Sequence, residues 1–180
     1  MRIPLAKKLV ALLYPTGDTQ LLEQARIDFS DRWGTIERES EHTPFLWTDY
    51  YASIAPELTR CFFSFSGLCP VGELPGWKME AMALETAKGA DRRVNIDPGY
   101  VDGARLVLAS SKNNAHRVYL RDGIFAEVTL CRRKGKWASF FYTFPDFKSG
   151  QYDHFLNSVR LDWKKEMRIL RGDDEHDSPL

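Results

Sequence analysis

The stretch from Val94 to Leu130 sets together Asp97, Lys112, Asn113, Asn114, His116, Arg117 and Glu127, side chains able to do acid–base or anion chemistry. The pair Asp122-Gly123 lies between two apolar runs, which is a strong signal for a two-residue hairpin turn. Such a turn pairs Arg121 with Ile124, Val118 with Glu127 and His116 with Thr129. His116 and Glu127 then become diagonal neighbours on one face, about 7 Å apart at Cβ. A carboxylate beside an imidazole holds its tautomer and favours its charged form, as a general acid or base requires. Asp97 adds a carboxylate at the head of the same block, so His116, Glu127 and Asp97 are the candidate catalytic set. Lys112, Asn113, Asn114 and Arg117 are the candidate ligand-binding set, since a lysine, amides and a guanidinium in a loop can hold a phosphate or carboxylate. Each choice has a plainer counterpart. A His–Glu hydrogen bond can be structural, a polar loop can simply be solvated, and an Asp in a turn commonly caps its own backbone.

The elements that must position these residues follow from periodicity. Lys8–Tyr14 is a continuous apolar run closed by Pro15 and Gly17, the pattern of a buried strand. Asp18 can cap a helix carrying Leu22, Ala25, Phe29 and Trp33 at helical spacing, with Gly34 as its stop. Thr35–Glu41 reads as a polar strand and Thr43–Ala55 as a packed loop or short helix. Thr59–Ser66 is a strand with Cys61, Phe63 and Phe65 on one face. Trp77, Ala81, Leu84 and Ala87 mark a second helix ended by Gly89, and Arg92–Ile96 is a fourth strand. Asp97-Pro98-Gly99-Tyr100 has the chemistry of a type II turn. Gly103–Ala109 reads as one or two helical turns. Strands at Arg117–Arg121, Ile124–Arg132 and Trp137–Tyr142 follow, and Ser149 can cap a last helix with Tyr152, Leu156, Val159, Trp163 and Leu170 on one stripe.

This order predicts an α+β fold with a largely antiparallel sheet. It opens as a ferredoxin-like βαββαβ unit, continues as a β-hairpin or meander, and ends in a long C-terminal helix. Residues 1–171 form one domain, and 172–180 an acidic, disordered tail.

Composition bounds the function classes. The 180 residues carry zero formal net charge, so no global field draws nucleic acid or an anionic membrane. Cys61, Cys69 and Cys131 are odd in number and lack C-x-x-C spacing, which argues against a disulfide framework and points to a reducing cytoplasm. No apolar run approaches the 18 residues or so of a membrane span, and Leu9–Leu13 is too short for a signal-peptide core. Four scattered histidines have no metal-ligand spacing, so no metal site is assigned. Arg132, Arg133, Lys134 and Lys136 form a basic hairpin tip, which more often discourages edge pairing than grips a nucleic acid. There is no P-loop, dinucleotide fingerprint or nucleophile elbow.

FLWTDYYASIAPELTRCFFSF (Phe45–Phe65), NIDPGYVDGARLVLASSKNNAHRVYLRDGIFAEVTL (Asn95–Leu130) and FFYTFPDFKSGQY (Phe140–Tyr152) together resemble DUF4416, a bacterial family of unknown function. The likeness covers nearly the whole chain up to the last helix. It implies a bacterial cytoplasmic protein and transfers no catalytic residue. Proteins of this kind are sometimes labelled GTP-binding, but the chain has neither a phosphate loop nor an Asn-Lys-x-Asp base-reading motif.

Three functional classes then compete. One is a protein that binds a small anionic ligand or nucleotide and can act on it. The alternative is a non-catalytic binding module contacting RNA or a protein partner. The third is a structural protein that assembles as a homo-oligomer. The cluster of titratable residues favours the first, and the absence of RNP-type aromatic motifs counts against general RNA binding. The residues leave the cofactor unspecified, and also whether the protein is an enzyme.

Overall fold

In the computed structural model of the chain, residues 3–47, 51, 53–86 and 93–172 are described. The elements are β1 (Leu5–Pro15), α1 (Thr19–Trp33), β2 (Ile36–Glu39), β3 (Thr43–Pro44), β4 (Leu58–Phe65), β5 (Cys69–Pro70), α2 (Leu74–Thr86), β6 (Asn95–Val101) and β7 (Arg105–Ser110). They are followed by β8 (Val118–Arg121), β9 (Ile124–Arg133), β10 (Lys136–Ser139), α3 (Pro145–Lys148) and α4 (Asp153–Arg171). Among the described residues the strands form one sheet in the order β10-β9-β7-β6-β1-β4-β2. Short β3, β5 and β8 add to β4, β1 and β9. Every strand pair is antiparallel. No helix of the described residues is long and apolar enough to cross a membrane.

The sheet is covered on both faces. On one, α1 contributes Leu22, Ala25, Phe29 and Trp33 and α2 contributes Leu74, Trp77 and Ala81. They pack against Val10, Leu12, Phe63, Ile96 and Val107. On the other, Phe147 of α3 and Phe155, Leu156 and Val159 of α4 pack against Leu9, Phe62, Val101, Leu106 and Leu130. Strands buried on both faces read as continuous apolar runs rather than alternating ones. That explains both Lys8–Tyr14 and Leu58–Phe65. Asp18 caps α1 as its sequence suggests, accepting from Leu21 N at 3.0 Å.

Several expectations are corrected. Asp97-Pro98-Gly99-Tyr100 is no turn: it lies inside β6, paired residue for residue with Ala11, Val10, Leu9 and Lys8 of β1. Proline is tolerated in a strand only where its missing N–H has no partner to lose, and the seam described below supplies such a place. Gly103–Ala109 is not helical. Asp102 accepts from Ala104 N and Arg105 N at 2.8 and 2.9 Å, turning the chain directly into β7. The apolar run Leu106–Ala109 is extended because both of its faces are covered. The strand expected over Trp137–Tyr142 stops at Ser139, where a turn closes from Thr143 N to Phe140 O. Ser149 ends α3 rather than capping α4, whose N-cap is Tyr152.

The strand expected at Thr35–Glu41 is β2, and Thr43–Pro44 at the head of the expected loop pairs with β4. The helix stop at Gly89, with Ala87 and Arg92, lies outside the described residues, as does the tail after Gly172.

Candidate functional site

A cleft of about 560 Å³ opens on the face of the sheet that carries α3 and α4, with Phe147 of α3 in its lining. Its origin is a seam. β6 and β7 pair only from Val101↔Leu106 to Gly99↔Leu108. Beyond Gly99 the two strands part, and the backbone groups of β6 that would face β7 need other partners. Side chains of α2 supply them. Ile96 N donates to Glu85 Oε1 at 2.6 Å, and Lys78 Nζ donates to Ile96 O at 2.9 Å. Pro98, two residues on, directs its amide position to the same side, where its lack of an N–H breaks no ladder. A Cβ on Gly99 would lie 2.3 Å from Val107 O, so glycine permits the last close pair before the seam opens.

Lys78 passes through this opening and donates to Asp97 Oδ1 at 2.9 Å, while Asn95 Nδ2 donates to Asp97 Oδ2 at 2.6 Å. Burial raises the Asp97 pKa, but the Lys78 charge and hydrogen bond, helped by Arg60 and Asn95, outweigh it and hold the carboxyl below its usual range.

Glu127 organises the opposite wall. Its Oε2 takes His116 Nε2 at 2.9 Å and Arg117 Nε at 2.8 Å. Arg117 NH1 also donates to Ser110 Oγ at 2.7 Å and Lys112 O at 3.1 Å. The imidazole lies flat on Tyr142, with ring centroids 4.3 Å apart, and Tyr142 stacks in turn on Phe140. Tyr142 donates its hydroxyl to Val128 O at 3.0 Å, and burial, then the Glu127 charge, raises its pKa.

The expected His116–Glu127 contact therefore forms, by a different register. The turn is a two-residue one, with φ of 55° at Asp122 and 74° at Gly123, and Arg121 faces Ile124. A bulge between Tyr119 and Arg121 then shifts the pairing, so Val118 faces Ala126 instead of Glu127. Continued by one residue, that register sets Arg117 opposite Glu127. His116 lies before β8 begins and reaches Glu127 from the loop.

The floor holds a third group. Arg60 of β4 is almost wholly buried, with its side chain 6% exposed, and donates from NH1 to the fully buried Asp146 at 3.0 Å. Tyr152 donates its hydroxyl to the same Asp146 oxygen at 3.0 Å. Burial pushes the Asp146 pKa up, and Arg60 and Tyr152 only partly oppose this. The guanidinium lies over Phe45, 4.6 Å from the ring centroid, and its buried Nε has no hydrogen-bond partner among the described residues.

Of the sequence-derived site residues, His116, Glu127, Asp97, Lys112, Asn114 and Arg117 all line the cleft, and Asn113 does not. Arg117 is spent on Glu127, Ser110 and the loop backbone, so its place is that of a positioning residue. Among the described residues no three His, Cys, Asp or Glu side chains converge as a metal-ligand set. Arg60, Lys78 and Tyr142 were missed. The signal for Arg60 was present: a lone arginine in the apolar run LTRCFFSF is a buried charge in need of a partner. Lys78 had none, because in WKMEAM it looks like any helix-surface lysine.

No curated protein and no solved structure matches the chain. Residues 4–163 match the model of one family, a domain of unknown function, DUF4416, and the chain belongs to that family.

Proposed function

We propose that the cleft binds a small anionic ligand of about nucleotide size and that His116 exchanges a proton with it. The observation that carries this is how the imidazole is bonded. With Nε2 held by the Glu127 carboxylate as a donor, the neutral ring keeps its lone pair on Nδ1. Nδ1 has no hydrogen-bond partner among the described residues, and the ring lines the cleft. That is the arrangement of a general base, with Glu127 as orienting group and Arg117 fixing Glu127. Four side-chain cations, Arg60, Lys78, Lys112 and Arg117, line the same walls as three carboxylates, Glu85, Asp97 and Glu127. This balance supports an anionic ligand, and the volume lies within the usual range of ligand pockets.

The first hundred residues support a ferredoxin-like reading on the same footing. With the two-residue β3 and β5 set aside, their β-α-β-β-α-β order builds neighbours β6-β1-β4-β2, with α1 and α2 in one core cluster. Three free cysteines support a cytoplasmic location.

The test is a thermal-shift screen against nucleotides, sugar phosphates and small carboxylates, since a ligand that binds only the folded state raises its melting temperature. Saturation at a hundredfold over Kd adds about 2.7 kcal/mol. A hit is then carried to His116→Gln, which keeps one hydrogen-bonding side chain but cannot titrate near neutrality. Binding should survive and turnover should vanish. The absence of any shift at millimolar ligand would overturn the reading.

A further inference from the structure

Resting on that reading of the cleft, we propose that its ligand is elongated and carries a terminal oxyanion, phosphate or carboxylate, which docks on Arg60 and Lys78 at the end away from His116. Burial and bonding set both residues apart. Their side chains are each 6% exposed, yet both line the cleft. A guanidinium has five N–H donors. Arg60 makes one hydrogen bond, to Asp146, and leaves a buried Nε without an acceptor. An ammonium has three donors, and Lys78 makes two hydrogen bonds, to Ile96 O and Asp97. A buried cation left this short of acceptors is unusual in a folded protein and calls for a partner. A tetrahedral or planar oxyanion supplies several acceptor oxygens at once. The aromatic rings of Phe45 and Phe147, over which the guanidinium lies, meet part of its charge but accept no in-plane hydrogen bond.

The length follows from the sheet. Arg60 stands on β4 and Glu127 on β9, with β1, β6 and β7 between them. Four strand spacings place those backbones on the order of 19 Å apart. Long side chains on both sides shorten the gap, but a free phosphate on Arg60 could not also reach His116. The substrate class is therefore a phosphorylated or carboxylated molecule with a body several ångströms long, its anionic end on the floor and its reacting end beside the imidazole. By contrast Arg117, whose Nε and NH1 are engaged by Glu127, Ser110 and Lys112 O, orients Glu127.

Calorimetry with a nucleoside monophosphate, its parent nucleoside, inorganic phosphate and a four-carbon dicarboxylate separates the possibilities. The monophosphate should bind at least tenfold more tightly than the nucleoside and than inorganic phosphate if the oxyanion is phosphoryl. The dicarboxylate should lead if it is a carboxylate. Arg60→Lys keeps the charge opposite Asp146 and should still lose tenfold or more in affinity for the favoured anion. Arg60→Leu combined with Asp146→Asn removes the buried pair together and should lose at least as much, which separates binding from folding. If an anion binds but tolerates both changes and instead depends on Lys112→Met, the cleft is an anion site and the floor receptor is wrong. If none of the four compounds binds, both the receptor and the broader reading fall.

Discussion

Lys78 and Asp97 meet at 2.9 Å although they belong to opposite sides of the sheet. Lys78 rises from α2, whose neighbours Trp77 and Ala81 pack on the α1 face. Asp97 is paired with Ala11, whose side chain lies in the cluster under α4. The contact is made through the sheet, where β6 and β7 have parted. One lysine thus replaces a missing strand partner and lends its charge to the cleft.

Lys78→Met should therefore cost more than a surface lysine would. It strands Ile96 O and leaves the Asp97 carboxylate without its cation. Removing one partner of a buried pair costs up to 3–5 kcal/mol, and Asp97 is partly open to the cleft, so about 2–4 kcal/mol is expected. Urea denaturation measures it directly. A loss below about 0.5 kcal/mol would show that the seam does not depend on this residue.

The acid limb of stability should carry the same signature. The Asp97 carboxyl titrates lower in the folded chain than an unfolded aspartate near 3.9. Its contribution is present above about 3.9 and is lost as pH falls through the lower folded value. Asp146 acts in the opposite sense. Its folded value is raised by burial, so its charged form costs stability near neutrality, a cost relieved as pH falls. Asp97→Asn should destabilise at pH 7, and the deficit should begin to shrink as pH falls below about 3.9 and close only below the lower folded value, where the folded parent too is protonated. Urea midpoints from about pH 7 to 3 read this out. A deficit that grows on acidification would contradict it.

Glu127→Gln should loosen the loop before β8 rather than unfold the protein. The amide keeps the shape of the side chain but gives up two charge-assisted bonds, from His116 and Arg117, each typically about 1.5–3 kcal/mol against a full charge. Hydrogen exchange over residues 111–117 should rise by tenfold or more while β1 and β4 stay protected. Unchanged exchange would mean that Ser110 and the loop backbone alone hold Arg117.

Gly99→Ala tests the close pair at the edge of the seam. The added methyl would meet Val107 O at 2.3 Å and Leu108 Cδ2 at 2.6 Å. A leucine tip can move, but a paired carbonyl moves only with its strand, so a loss of about 2–3 kcal/mol is expected. The same substitution at Gly72, which meets nothing within 4 Å, provides the control and should cost under about 1 kcal/mol.

What the residues determined on their own is local. The apolar run of β1, the Asp18 cap and stripe of α1, the Asp-Gly hairpin and the clustering of His116, Arg117 and Glu127 each depend on neighbours a few positions away. Short-range sterics and periodicity act over that distance. What only the tertiary structure decided is where pairing stops. Asp-Pro-Gly-Tyr has the letters of a turn, but pairing along β1 kept it extended, and the absence of a β7 partner made its proline harmless. The bulge in β8 set Val118 opposite Ala126 instead of Glu127, a one-residue shift that a turn sequence does not encode. Arg60 and Asp146 became a buried pair because α3 packs against β4, and Lys78 reached Asp97 because the seam between β6 and β7 lets it through. A buried charge takes its meaning from partners distant in the chain, which no spacing of letters records.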